Sequence, residues 1–181
     1  MSDVARPKSS KGRNGRLLSG EEDLLLSACA ESRRDYLREV VVMALETAMR
    51  QSELIALRWE LIDLAKQTAH LVDTKNGDSR TVSLSTTAVA LLKHRRPPGR
   101  ATGQVWTGIT TEAVKQSFQR ACEPADIQGL RFHDLRHEAI SRLFERGLHA
   151  VEVAAISGHK DLRMLMRYTH LDARKLAAKL G

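Results

Sequence analysis

The chain has 181 residues, 42% hydrophobic and 28% charged, with a net charge of +7. That length supports one domain with a real core. No apolar run approaches the roughly 20 residues a membrane span needs, and no apolar stretch behind the N-terminus reads as a secretory signal, so a cytoplasmic, nucleoid-associated protein is expected. The basic balance points to an anionic partner, nucleic acid first, although charge alone is a weak signal. Cys29 and Cys122 fit no CxxC pattern and are expected to be free structural thiols.

In chain order, residues 1–16 are polar and basic (Arg6, Lys8, Lys11, Arg13, Arg16) and read either as a solvated tail or as an arm on DNA phosphates. Ser19 and Glu22 form a capping-box pattern that opens a helix to about Glu31. A second helix is expected over Arg34 to Thr47, with Leu37, Val40, Val41, Ala44 and Leu45 at helical spacing. A short helix follows Arg50, carrying Leu54, Ile55 and Leu57. The period then changes, and β-rich runs at Leu61–Leu64, Thr68–Val72 and Arg80–Leu84 predict a small antiparallel sheet. Asn76-Gly77 is a strong turn signal between the last two. Helices resume at about Thr86–His94, before the Pro97-Pro98-Gly99 break, and at Thr111–Cys122, which Pro124 ends. The last third is helical: Phe132–Arg146, closed by Gly147; Ala150–Ser157, stopped by Gly158; a helix capped by Asp161 that includes Met164 and Tyr168; and Asp172 to Leu180. The fold class is mainly α with a small three-stranded antiparallel sheet (α+β).

Four local patterns stand out: Arg50-Gln51-Ser52-Glu53-Leu54 at a helix junction; Lys75 at the hairpin tip; His133-Asp-Leu-Arg136 at a helix start; and Gly158-His159, followed nine residues after the histidine by Tyr168. Singly, each has an ordinary explanation. Arg50 suits a surface ion pair with Glu53, Lys75 a turn lysine, His159 a helix end, and Tyr168 a packed aromatic. His133 and His137, four apart, suit a metal pair, but no third ligand has clear spacing.

Together they suit phosphoryl transfer. Fixed cations aimed at the non-bridging oxygens are the most effective contribution a protein makes to that reaction. Arginine stays charged and forks onto two oxygens. A tyrosine hydroxyl needs a base or a strong positive field to attack; a histidine can take its proton, and a lysine can protonate the leaving oxygen. No metal-binding carboxylate cluster and no glycine-rich phosphate loop is evident, so neither a two-metal nuclease nor a P-loop enzyme is supported, and no cofactor is expected.

The segments ETAMRQSELIALRW, TKNGDSRTV, FHDLRHEAISRLFERG and ISGHKDLRMLMRYTHL resemble the tyrosine recombinases, the family of phage integrases, Xer-type enzymes and Cre. The resemblance covers about Leu17 to Leu180, with Arg, Lys, His-x-x-Arg, His and Tyr in family order. It implies the tyrosine-recombinase catalytic-domain fold and these roles. Tyr168 is the nucleophile that forms a 3′-phosphotyrosyl link. Arg50 and Arg136 clamp the phosphate. His133 is the general base, Lys75 the general acid, and His159 the second histidine on the phosphate. Glu53 supports the motif around Arg50. The family usually carries a further N-terminal domain, so residues 1–16 resemble an interdomain linker and 17–181 a catalytic domain whose partner domain is absent. The implied partner is double-stranded DNA, bound by four subunits that exchange a C-terminal segment (here 172–181), with a monomer off DNA. Two other readings are a type IB topoisomerase-like enzyme, separable by a strand-exchange assay, and a non-catalytic DNA-binding module, which would be expected to lose at least one of the six residues.

Overall fold

The computed structural model describes residues 15–72, 79–99 and 102–169. Its helices are α1 (Glu21–Ala30), α2 (Leu37–Thr47), α3 (Gln51–Ile55), α4 (Thr86–Arg95), α5 (Thr111–Cys122), α6 (Asp134–Glu145) and α7 (Ala150–Ser157). Strands β1 (Ile62–Asp63), β2 (Thr68–Leu71) and β3 (Arg80–Ser83) form one antiparallel sheet in that order. Its register sets Ile62 against Ala69 and Ala69 against Val82. The mainly helical architecture with a small three-stranded antiparallel sheet is the one the hydrophobic periods predict.

Helix α2 organises the core. Leu37, Val40, Val41, Met43, Ala44 and Leu45 are all buried, too many for one face, because α1, α3, α4, α5 and α6 all pack on it. Trp106 and Phe118 are the largest fully buried side chains of the main cluster. Phe118 meets Phe132 edge-on at 5.4 Å. Cys29 and Cys122 are buried free thiols in this core, and burial pushes Cys29 up to about 12, which leaves it an inert thiol at neutral pH. A second, smaller cluster of Ala48, Ala139, Ile140, Val153 and Leu165 joins α6 to α7, and Tyr168 packs against it. No helix among the described residues is long and apolar enough to cross a membrane.

Four local expectations are corrected. Ser19 does not cap α1: Gly20 holds that position at φ 81°, and Glu21 accepts the Leu18 amide at 2.7 Å instead. Helix α2 starts at Leu37 rather than Arg34. The first strand shrinks to two residues, because Trp59–Leu61 is a 3₁₀ turn. Asp161 does cap the last segment, accepting from the Arg163 amide at 2.9 Å, but Leu162–Tyr168 is 3₁₀ rather than α-helix. The Asn76-Gly77 turn, Lys75 and the helix expected over 172–180 lie outside the described residues.

Candidate active site

Three helix ends converge here, and arginines bridge them. Helix α2 ends at Ala48 in the left-handed region (φ 51°), which turns its carbonyl away from any further helical partner. Helix α7 ends at Ser157 before Gly158 (φ 73°). A helix C-terminus carries unpaired carbonyls and partial negative charge, so it attracts a cation. Arg136, in the first turn of α6 and only 5% exposed, supplies it. Its guanidinium donates to the Ala48 carbonyl and, at 2.6 Å, to the Ser157 carbonyl. Burial, with Arg50 close by, pulls Arg136 down to about 10, so it stays protonated at neutral pH.

Arg50 lies just before α3 and donates to Glu53 at 2.7 Å and to the Gly158 carbonyl at 3.3 Å. The pair with Glu53 is as the spacing suggests, but it is partly buried rather than on the surface. Glu53 also accepts the Arg50 backbone amide at 2.8 Å. Its remaining capacity goes to Arg80 of β3, bound through both carboxylate oxygens at 2.7 and 2.9 Å. Sequence reasoning does not single out Arg80. A Cβ on Gly158 would come within 2.7 Å of its guanidinium carbon, so glycine is favoured there by its positive φ, and a larger residue would displace the Arg80 guanidinium. Arg80 thereby ties β3 to Glu53, Arg50 and the end of α7.

Burial alone would raise the Glu53 carboxyl, but hydrogen bonds from Arg80 and from the Arg50 backbone and side chain overcome it and pull it from 4.5 down to about 2. A carboxylate held below its unfolded value stabilises the fold above the unfolded pKa and loses that contribution as pH falls through the folded one. The stability gap between wild type and Glu53→Gln, measured by urea unfolding, should therefore be full above pH about 4.5 and close on the way down to about 2. A gap that stays constant to pH 2 would show that the carboxylate charge is not what matters.

His159 follows Gly158, and its Nδ1 lies 2.7 Å from the Ser157 hydroxyl. That hydroxyl donates to the Val153 carbonyl at 2.6 Å, so it accepts from the imidazole, which makes Nε2 the unprotonated nitrogen of the neutral ring. Burial, then Arg136 and Arg50, pull His159 down to about 4. Tyr168, the last residue of the 3₁₀ segment, is half-buried and stacks near Phe144 and His137. Its hydroxyl pairs with Nδ1 of His137, not with His133. His133 precedes α6 as an exposed residue, its ring edge-on to His137 at 4.9 Å. Burial lowers His137, with His133 and Arg167 adding to it, so the ring is neutral at pH 7 and can accept the hydroxyl proton. Burial raises Tyr168, against the pull of Arg167 and Arg136. No group of three metal-ligating side chains occurs among the described residues.

The sequence model of the phage integrase family matches residues 16–175. The chain belongs to the phage integrase family. A shufflon-specific DNA recombinase of Escherichia coli is 48% identical over 178 residues, which is 98% of this chain and 45% of that protein. Among solved structures, the catalytic domain of bacteriophage HP1 integrase superposes with a TM-score of 0.73 at 26% identity, covering 91% of this chain and 92% of that one. The XerH recombinase solved on its difH substrate gives 0.70 at 20% identity, over 97% of this chain and 56% of that one, a likeness of fold. The chain spans less than half the length of the curated relatives it matches.

Within this integrase-family chain, Arg50, Arg136, His159 and Tyr168 lie near one another. Lys75 lies outside the described residues. The residues that sequence reasoning misses are Arg80 and, in its role beside the tyrosine, His137. Their signals are weak: Arg80 opens a β-run, and His137 stands one turn from His133, a spacing that suggests a metal pair.

Proposed function

We propose that this domain cleaves and rejoins double-stranded DNA at specific sites, with Tyr168 as the nucleophile. The observation that carries this reading is the placement of a neutral imidazole on the Tyr168 hydroxyl inside the field of Arg136 and Arg167. The hydroxyl gives up its proton to the His133–His137 pair, with His137 in direct contact. The phenolate oxygen attacks phosphorus, the bond to the 5′ oxygen breaks, and that oxygen takes a proton from Lys75. Arg50 and Arg136 neutralise charge on the non-bridging oxygens, and His159 hydrogen-bonds the phosphate once the anion draws a proton onto its Nε2. The phosphotyrosyl ester conserves the phosphodiester linkage, so return attack by a 5′ hydroxyl reseals the strand with neither ATP nor a metal ion. Residues 1–16 then serve as a basic linker to a further domain, in keeping with relatives more than twice this chain's length. Assembly as four subunits on two sites follows from the same reading.

The test is a nicked suicide duplex carrying the cognate site, incubated in EDTA without nucleotide and resolved on a denaturing gel. A covalent adduct that maps by mass spectrometry to the peptide containing Tyr168 is expected. An adduct on another residue, or dependence on added metal, would overturn the mechanism. Arg136→Ala should slow adduct formation by about a hundredfold or more, as removal of a preorganised charge donor does. A rate within about threefold of wild type, at a temperature where both proteins are folded, would remove Arg136 from the clamp.

A further inference from the structure

The chain enters the domain across the active site. Gly15 is buried at φ +68°, and a Cβ there would meet Cβ, Cδ2 and Cγ of His137 at 3.1, 3.2 and 3.3 Å. The next two residues are fastened to Glu138, the neighbour of His137 on α6. Arg16 Nε donates to Glu138 at 2.6 Å, and the Leu17 amide donates to it at 3.1 Å. Arg16 also pairs with Glu145 at 2.8 Å. Glu138 is 4% exposed and holds Arg142 at 2.8 Å, while Arg142 reaches Glu22 of α1. Burial of Glu138 favours its neutral form, but Arg16, Arg142 and the Leu17 amide together hold it ionised.

This anchor fixes the backbone on either side of His137: its own helix through Glu138, and the strand in front of it through Arg16 and Leu17. Glycine suits this position, since a side chain at Gly15 would be strained by the positive φ and would push the ring by a few tenths of an ångström. The ring so held is the one that meets the Tyr168 hydroxyl. We propose that Gly15–Leu17 is a positioning clip: it sets the His137 ring and, through it, the Tyr168 hydroxyl, so that displacing Gly15 alters the placement of the tyrosine. The consequence for DNA cleavage rests on Tyr168 being the nucleophile; the clip itself does not.

The experiment uses the intact chain with three changes. Gly15→Ala presses on the ring, Arg16→Met removes the ion pairs but keeps the stem, and Arg16→Lys restores the charge. Imidazole nitrogen signals are recorded by NMR without DNA, and covalent capture is measured on the suicide duplex. The His137 signals should move in Gly15→Ala and Arg16→Met while those of His159, bonded instead to Ser157, stay in place. At saturating DNA, capture should slow by about tenfold, as small misplacements of reacting groups do, with Arg16→Lys recovering most of the rate. Should Gly15→Ala fail to fold, Arg16→Met decides, since that side chain is 36% exposed. Unmoved His137 signals in the folded variants overturn the clip. Absence of capture in wild type overturns the nucleophile reading and leaves the NMR result to judge the clip alone.

Discussion

Tyr168→Phe protein is expected to bind its duplex within about threefold of wild type and to form no covalent adduct. The side chain is half-buried, stacked between His137 and Phe144, and a phenyl ring fills the same space. What is lost is the hydroxyl and its bond to His137. A hydrogen bond of that kind contributes about 1 kcal/mol of stability, too little to unfold the domain, while its oxygen is the whole of the proposed nucleophile. Affinity for DNA comes mostly from cations on phosphates, and the arginines of the site are untouched by the change. Filter binding at fixed salt measures the first quantity and the denaturing gel the second. An adduct that persists in Tyr168→Phe would assign the nucleophile elsewhere. Loss of binding along with capture would give the hydroxyl a structural role instead.

Glu53→Gln should be the most destabilising single change around the site. The substitution leaves Arg80, whose side chain is 14% exposed, without its carboxylate, and its Nε is already buried without a partner. It also releases Arg50. Removing one member of a buried ionic cluster typically costs about 3–5 kcal/mol, a drop in melting temperature of about 10 °C for a domain this size. Arg80→Met should cost less, because Glu53 keeps Arg50 and no charge is stranded. The double variant should recover part of the loss, since the two residues share one interaction. Thermal unfolding of the three variants checks the ordering. A Glu53→Gln protein within about 1 kcal/mol of wild type would mean that water or a rearranged Arg80 replaces the carboxylate.

Several parts of this arrangement are legible in the amino-acid sequence. The alternation around Thr68–Leu71 and Arg80–Ser83 marks two strands, and Gly158 marks the end of α7, because a left-handed residue favours glycine there. The Asp161 cap is equally plain. The boundaries that shift share a cause. Ser19 satisfies a capping pattern, yet Gly20 takes the turn and Glu21 bonds back to Leu18, which a sequence pattern one residue out of step does not reveal. The β-rich run through Leu61 is curtailed where Trp59 buries itself and its amide bonds to the Gly103 carbonyl, a partner more than forty residues away.

The same division runs through the site. Residue chemistry and order along the chain determined that this protein carries arginines, histidines and a tyrosine suited to phosphoryl transfer on a mainly helical scaffold. They did so because charge, hydroxyl acidity and helical period are local properties. Only the tertiary structure decided which histidine faces Tyr168, that Arg80 shares Glu53 with Arg50, and that Gly15 lies against the His137 ring. His133 and His137 differ by one helical turn and have the same chemistry. What separates them is that α6 turns His137 toward the packed cluster of Leu165 and Tyr168 and leaves His133 exposed at its start. That choice depends on burying the ends of α2 and α7 around Arg136, a contact between segments as many as 88 residues apart, and no local pattern carries it.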